Sequence, residues 1–229
     1  MSFVGKLKRL WSASTIHKSR LHDMDGNLIP LSRLVKNGPR AVFTGIVRVL
    51  FDKRPPLPWI SYDGQAEMAR RLGKDKRVLE FGAGMSTAWF AAHAKEVVSI
   101  EDHEGWHSVV KEKFRSRGIA NARIRFAGTK SEYLTLTESE RANGFDLVLI
   151  DGRFRDDCVD VAIANLNSGG AIYLDNADQI FSDEPNGSCS NARKKLTEWA
   201  QEKEYKILTF TDFAPTLFFV TRGEMFIKL

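Results

Sequence analysis

The stretch that most limits how this chain can fold is residues 78–87, Val-Leu-Glu-Phe-Gly-Ala-Gly-Met-Ser-Thr. An apolar run carrying one acid, then two glycines one residue apart, then helix formers reads as a strand, a tight turn and a helix. Glycine adopts the backbone conformations of such a turn at little steric cost and lets the main chain come close to a ligand. The N–H groups that open the helix have no intrahelical partner, so they face whatever sits above the turn.

The same rhythm continues along the chain. Residues 65–72 predict a helix ended by Gly73, 77–81 a strand, 86–94 a helix, 96–101 a strand and 106–117 a helix. Strands are expected next at 121–126 and 145–151, a helix at 156–166, a strand at 171–175 and a helix at 192–203. Strands alternating with helices imply crossover connections and a mainly parallel sheet. Residues 145–151, Phe-Asp-Leu-Val-Leu-Ile-Asp, are the most apolar run and therefore central, because a sheet covered by helices buries both faces. The last two strands, 205–210 and 217–221, have only a turn around Pro215 between them. That is too short for a parallel crossover, so they pair as an antiparallel hairpin.

Residues 1–60 differ from the rest of the chain. They hold 11 Lys and Arg against 3 Asp, a net +8 in a chain of 229 residues whose total is +5. They read as a basic, partly helical N-terminal extension, with the main domain at 61–229. Phe3, Val4, Leu7, Leu10 and Trp11 recur at helical spacing among Lys6, Lys8 and Arg9, an amphipathic pattern that rests on the domain or on a lipid surface. Residues 17–30 are polar, with a turn at Asp25-Gly26. Residues 31–51 predict a helix interrupted at Gly38-Pro39, and Pro55, Pro56 and Pro58 stiffen the approach to the domain. So basic an extension suits a negative partner, whether membrane surface, nucleic acid or protein, or else a solvated polar face. No apolar run reaches the roughly 20 residues of a membrane helix, so only a peripheral membrane contact stays open. No secretory pattern opens the chain. Two cysteines, Cys158 and Cys189, make no disulfide framework, and the compartment expected is a reducing one, the cytoplasm.

Two groups of residues carry candidate chemistry. Glu101 ends the second strand, 21 residues after Glu80, where an acid accepts hydrogen bonds from ribose hydroxyls. A dinucleotide loop would need a small residue at position 87, and Thr87 counts against a bound pyrophosphate. Further along, Asp151 ends the central strand and opens Asp151-Gly-Arg-Phe-Arg155, while Asp175-Asn176 ends the next. Neighbouring strand ends bring these residues together at the carboxyl edge of the sheet. Asp151, Asp175 and Asn176 are hard oxygen ligands suited to Mg2+, which would orient a substrate hydroxyl and lower its pKa. Two other readings stand beside that one: Asp151 as a general base or orienter without metal, and Asp175 and Asn176 satisfying backbone groups. Arg153 and Arg155 stay protonated and suit a carboxylate or phosphate on the substrate. Trp106 reads as core and His107 as surface. Residues 177–190 suit a lid or a surface connection, and 213–215 another wall of the pocket.

On residues 78–87 and Ser99-Ile-Glu101 the chain resembles the class I S-adenosylmethionine-dependent methyltransferases, over about residues 59–222. The fold this implies is α/β: a Rossmann-like, mostly parallel seven-stranded sheet with a C-terminal antiparallel hairpin and helices on both faces. The resemblance puts Glu80 near the methionine part of S-adenosylmethionine, Gly82 and Gly84 beneath it, and Ser86 and Thr87 in the same loop. It puts Glu101 on the ribose, Asp102 and His103 beside the adenine, and Gly128-Thr129 at a further adenine contact. Residues 59–62 look like a segment that closes over the cofactor. Asp151, Asp175 and Asn176 are similar to the metal ligands of catechol-type O-methyltransferases, although Phe154 stands where those enzymes carry a lysine base. The function implied is methyl transfer to an oxygen of a small-molecule or sugar-bearing acceptor, with an anionic group favoured by Arg153 and Arg155. A nucleic-acid methyltransferase using the basic extension is one alternative, disfavoured because no Asn/Asp-Pro-Pro-Tyr tetrad comes after the central strand. A cofactor-binding interaction protein without turnover is the other.

Overall fold

The computed structural model describes residues 17–53, 57–179 and 189–229. The amphipathic pattern at 3–11 and most of the 177–190 segment therefore lie outside the described residues. Seven strands form one sheet: β1 (Arg77–Phe81), β2 (Glu96–Glu101), β3 (Ala122–Phe126), β4 (Phe145–Ile150), β5 (Leu166–Leu174), β6 (Lys206–Phe213) and β7 (Val220–Ile227). Their order is β3-β2-β1-β4-β5-β7-β6. The first five are parallel, and β7 runs antiparallel to both β5 and β6. The expected seven-stranded sheet with its closing hairpin is present.

Alternation along the strands explains why the sheet needs helices on both sides. Leu79, Phe81, Val148 and Ile150 enter one core with Val159 and Leu196, from helices α7 (Arg155–Asn165) and α8 (Cys189–Glu202). Val78, Leu147 and Leu149 enter the other with Met68 and Phe90, from α2 (Tyr62–Arg71) and α3 (Met85–His93). All these side chains are buried, and each contributes roughly 1.5–3 kcal/mol relative to exposure. The strand order reverses between β1 and β4. Chains leave these two strand ends in opposite directions, which opens a crevice at the carboxyl edge.

Several elements differ from the sequence expectation for identifiable reasons. Helix α1 (Leu31–Phe51) runs unbroken through Gly38-Pro39. Proline removes one N–H, but Pro39 is exposed, while Asn37, Gly38, Ala41 and Gly45 hold the opposite face against the C-terminal hairpin. Asn37 donates to Asp212 at 2.7 Å, and a Cβ on Gly45 would overlap the Phe218 ring. Strand β7 continues to Ile227, well past the expected end at Thr221. Within it Arg222 and Glu224 pair at 2.7 Å. The apolar Met225, Phe226 and Ile227 then pair with β5. Two short helices, α5 (Lys130–Leu134) and α6 (Glu138–Arg141), were not expected; each opens with a capping box, Thr129 with Glu132 and Thr137 with Glu140.

The polar segment from His17 to Pro30 is tied to the hairpin. Gly26 has φ +84°, as the Asp25-Gly26 turn requires. Buried Asp23 accepts from the Asn27 N–H at 2.7 Å and from the Thr211 hydroxyl at 2.9 Å. Both cysteines are free and buried. Among the described residues no helix is long and apolar enough to cross a membrane.

Candidate active site

The glycine loop is clamped from beneath by its own acid. Parallel register sets Glu80 beside Ser99, and the buried carboxylate accepts from the hydroxyls of Ser86, Thr87 and Ser99. Thr87 Oγ1 in turn accepts from the Gly84 N–H at 2.9 Å. The branched residue at 87 thus has a mechanical role, joining the start of α3 to β1. Burial lifts the Glu80 carboxyl to about 7, against the pull of the three hydroxyls. Glu80 and Thr87 lie below the loop, whereas Ser86 faces the cavity above it.

The two glycines do different things. Gly82 has φ +98°, and a Cβ there would stand 2.9 Å from the main chain of Gly152. It is the close approach of the β1 and β4 loops that demands glycine. Gly152 is equally hemmed in, since its Cβ would overlap the Tyr133 hydroxyl. Gly84 has φ −170°, an extended conformation open to any residue, and its Cβ would meet nothing nearer than Ser86 Oγ at 3.8 Å.

Above the loop lies a cavity of about 630 Å³, bounded by Gly84, Glu101, Trp106, Asp151 and Trp59 among others. Each Glu101 oxygen accepts one backbone N–H, from Ala83 at 3.0 Å and from His103 at 2.9 Å. Burial raises this carboxyl above its ordinary value. Trp106, expected in the core, instead stands 37% exposed as a cavity wall, because its indole N–H is held by the Ala83 carbonyl at 2.7 Å. His103 caps helix α4 (Glu104–Ser116) by accepting from the Trp106 N–H. Asp102 pairs with Arg153 at 2.8 Å across the cavity. Gly128 and Thr129 do not line it; they are exposed, and Thr129 caps α5.

A second cavity, of about 230 Å³, shares Trp59 and Asp151 with the first and adds His17, Asp175, Asn176 and Phe219. Its outer wall comes from Leu217 and Phe219, not from Phe213, which is buried against α1. Arg155, read from sequence as a substrate anchor, is turned inward. Its guanidinium donates to Asp151 Oδ1 at 3.3 Å, the Asp175 carbonyl at 2.6 Å, the Gly152 carbonyl at 3.0 Å and Cys189 Sγ at 3.1 Å. Arg153 remains at the mouth, about half exposed.

Asp151 and Asp175 line the same cavity. Burial, and then the neighbouring Asp151 charge, push Asp175 well above the carboxylate range. Its Oδ1 is buried without a hydrogen-bond partner among the described residues. Asp151, Asp175 and Asn176, read from sequence as a hard-oxygen set, all border this smaller cavity. Arg155 supplies a positive charge at Asp151.

His17 had no local pattern to mark it. Its Nδ1 lies 3.0 Å from the His22 carbonyl, an acceptor only, so Nδ1 is the donor in that bond. The ring rests against Phe219 at 5.0 Å between centroids.

No protein-family model and no curated protein matches the sequence. Solved structures match over most of the chain. An O-methyltransferase from Bacillus cereus, in complex with S-adenosylhomocysteine, superposes with a TM-score of 0.60 at 18% identity, covering 83% of this chain and 91% of that one. The O-methyltransferase TomG from Streptomyces achromogenes, involved in tomaymycin synthesis and in complex with S-adenosylmethionine, gives 0.59 at 15% identity, covering 86% and 95%. An rRNA methylase from Streptococcus thermophilus gives 0.54 at 13% identity, covering 73% and 95%. The chain has the class I S-adenosylmethionine-dependent methyltransferase fold.

Proposed function

We propose that the protein transfers a methyl group from S-adenosylmethionine to an oxygen of a small acceptor. The observation that carries this reading is the meeting of two cavities, one the size of a nucleoside cofactor and one smaller, at Trp59 and Asp151. In the larger one, the lone pairs that Glu101 has left suit a ribose diol, the Trp106 ring suits a planar base, and the open Cα of Gly84 lets a ligand lie against backbone. Structures of this fold solved with S-adenosylmethionine or S-adenosylhomocysteine support that assignment. When bound, S-adenosylmethionine supplies an electrophilic methyl group on a sulfonium sulfur.

The chain's own work is positioning and proton handling. Asp151, held by Arg155 where the two cavities meet, orients the acceptor so that its hydroxyl oxygen faces the larger one. His17 Nε2 takes the proton as the oxygen reacts. Trp59, Leu217 and Phe219 exclude water from the smaller cavity. No metal is needed to lower the hydroxyl pKa in this scheme. An anionic acceptor rests on Arg153 alone, since the Arg155 donors are taken by protein atoms. The small volume of the acceptor cavity favours a metabolite or sugar-bearing precursor over a base extruded from RNA. The free cysteines support a reducing compartment such as the cytoplasm.

The test is a screen of the purified protein with methyl-labelled S-adenosylmethionine against fractionated small metabolites and total RNA, with and without EDTA. Label should enter a small-molecule fraction and persist in EDTA. Label in RNA alone would overturn the acceptor class, and loss of activity in EDTA the metal-free scheme. Failure to bind S-adenosylmethionine in calorimetry would overturn the cofactor.

A further inference from the structure

We infer that helix α1 docks the protein on an anionic lipid surface. The helix is two-sided in a way the core does not explain. Asn37, Ala41 and Gly45 are buried against the hairpin, yet Leu31, Val35, Val42 and Ile46, spaced to share one stripe of the helix, point away from it. Leu31 is 73% exposed, Val35 69% and Val42 51%, with Phe43 beside them at 69%. The stripe from Leu31 to Ile46 extends roughly 22 Å along the helix at 1.5 Å per residue. A row of exposed apolar side chains along one helix marks a contact surface.

Charge selects the occupant. Helix α1 carries Arg33, Lys36, Arg40 and Arg48 and no acidic residue. Lys36 and Arg40 are exposed next to the stripe, although each also touches the domain, Lys36 at Asp63 and Arg40 over the Tyr62 ring. Residues 1–16 are basic as well, with Lys6, Lys8 and Arg9 and no acid. Folding them onto α1 would set like charges together, as would a twofold pairing of two α1 helices. Anionic headgroups complement the basic side chains while acyl chains take the stripe, the arrangement of an interfacial helix. The inference stands apart from the methyl-transfer reading, because α1 lines neither cavity.

The experiment is sedimentation of the full-length protein with vesicles of phosphatidylcholine alone or mixed equally with phosphatidylglycerol, at low and high salt. The bound fraction should favour the anionic vesicles by about tenfold or more and fall with salt. The double variant Val42→Glu, Phe43→Glu should lose that binding at an unchanged melting temperature. Leu31→Ser, Val35→Ser, which alters no charge, should weaken it in the same direction. Equal binding to both vesicle types, or none, would overturn the inference. So would a dimer seen by light scattering that the glutamate variant dissociates while the wild type ignores vesicles. Binding that survives both α1 variants but vanishes when residues 1–16 are deleted would overturn it as well.

Discussion

Gly82 and Gly84 look equivalent in the sequence, and replacing each with alanine should separate folding from ligand binding. At Gly82, φ +98° puts an L-residue in a disfavoured region, at a cost of about 1–2 kcal/mol. The added methyl would sit 2.9 Å from the Gly152 main chain. Backbone cannot swing aside as a flexible side chain does, so the loops after β1 and β4 must part, adding roughly 1–3 kcal/mol. Gly82→Ala should therefore destabilise the fold by about 2–5 kcal/mol, a large share of the 5–15 kcal/mol typical of a domain. At Gly84 the backbone is extended and the nearest atom is 3.8 Å away. Gly84→Ala should leave stability within about 1 kcal/mol, even raising it slightly by restricting the unfolded chain. Its methyl would project where the cofactor is proposed to lie, so S-adenosylmethionine affinity should fall at least tenfold, about 1.4 kcal/mol. Urea unfolding measures the first quantity and calorimetry the second. Equal destabilisation by the two variants would refute the structural distinction, and unchanged affinity in Gly84→Ala would refute the placement of the ligand.

Three further outcomes are expected. Glu101→Ala removes the acceptor of two backbone N–H groups as well as the proposed ribose ligand. Affinity for S-adenosylmethionine should drop on the order of tenfold to a hundredfold by calorimetry, and an unchanged dissociation constant would sink the assignment. Glu80 binds its proton more tightly folded, at about 7 against an ordinary 4.5. The native state then holds more protons between these values, and stability falls as pH rises from 4.5 to 7, by about 3 kcal/mol from this group. Urea midpoints across that range should slope less in Glu80→Gln than in wild type; identical slopes would show that the carboxyl is not raised. His17→Ala should lower kcat on the order of a hundredfold with cofactor affinity intact, and wild-type turnover would remove it from the mechanism.

Much of the architecture was legible because its signals are local. Short apolar strand runs alternating with helical patterns, the turn at Gly82 and the short link at Pro215 each act within a few residues, and together they require crossovers and a closing hairpin. Element ends were less legible where charges pair across space. Arg222 and Glu224 lie past the expected end of the strand, and they pair with each other within β7. Pro39 looks like a break until the far side of α1 is seen to be held by the hairpin.

By itself, the sequence determined the α/β class, the position of the glycine loop and the acids that end β2, β4 and β5. Only the tertiary structure decided what those residues face. It turned Glu80 beneath the loop and Arg155 inward, moved Trp106 from the expected core to the cavity wall, and brought His17 to the cavity that Asp151 and Asp175 line. The reason is physical: a residue type states which bonds a side chain can make, whereas strand register and helix packing choose the partner. Arg155 adds Asp175 and Cys189 to its near neighbours Asp151 and Gly152, and His17 meets Phe219 from a loop with no period of its own.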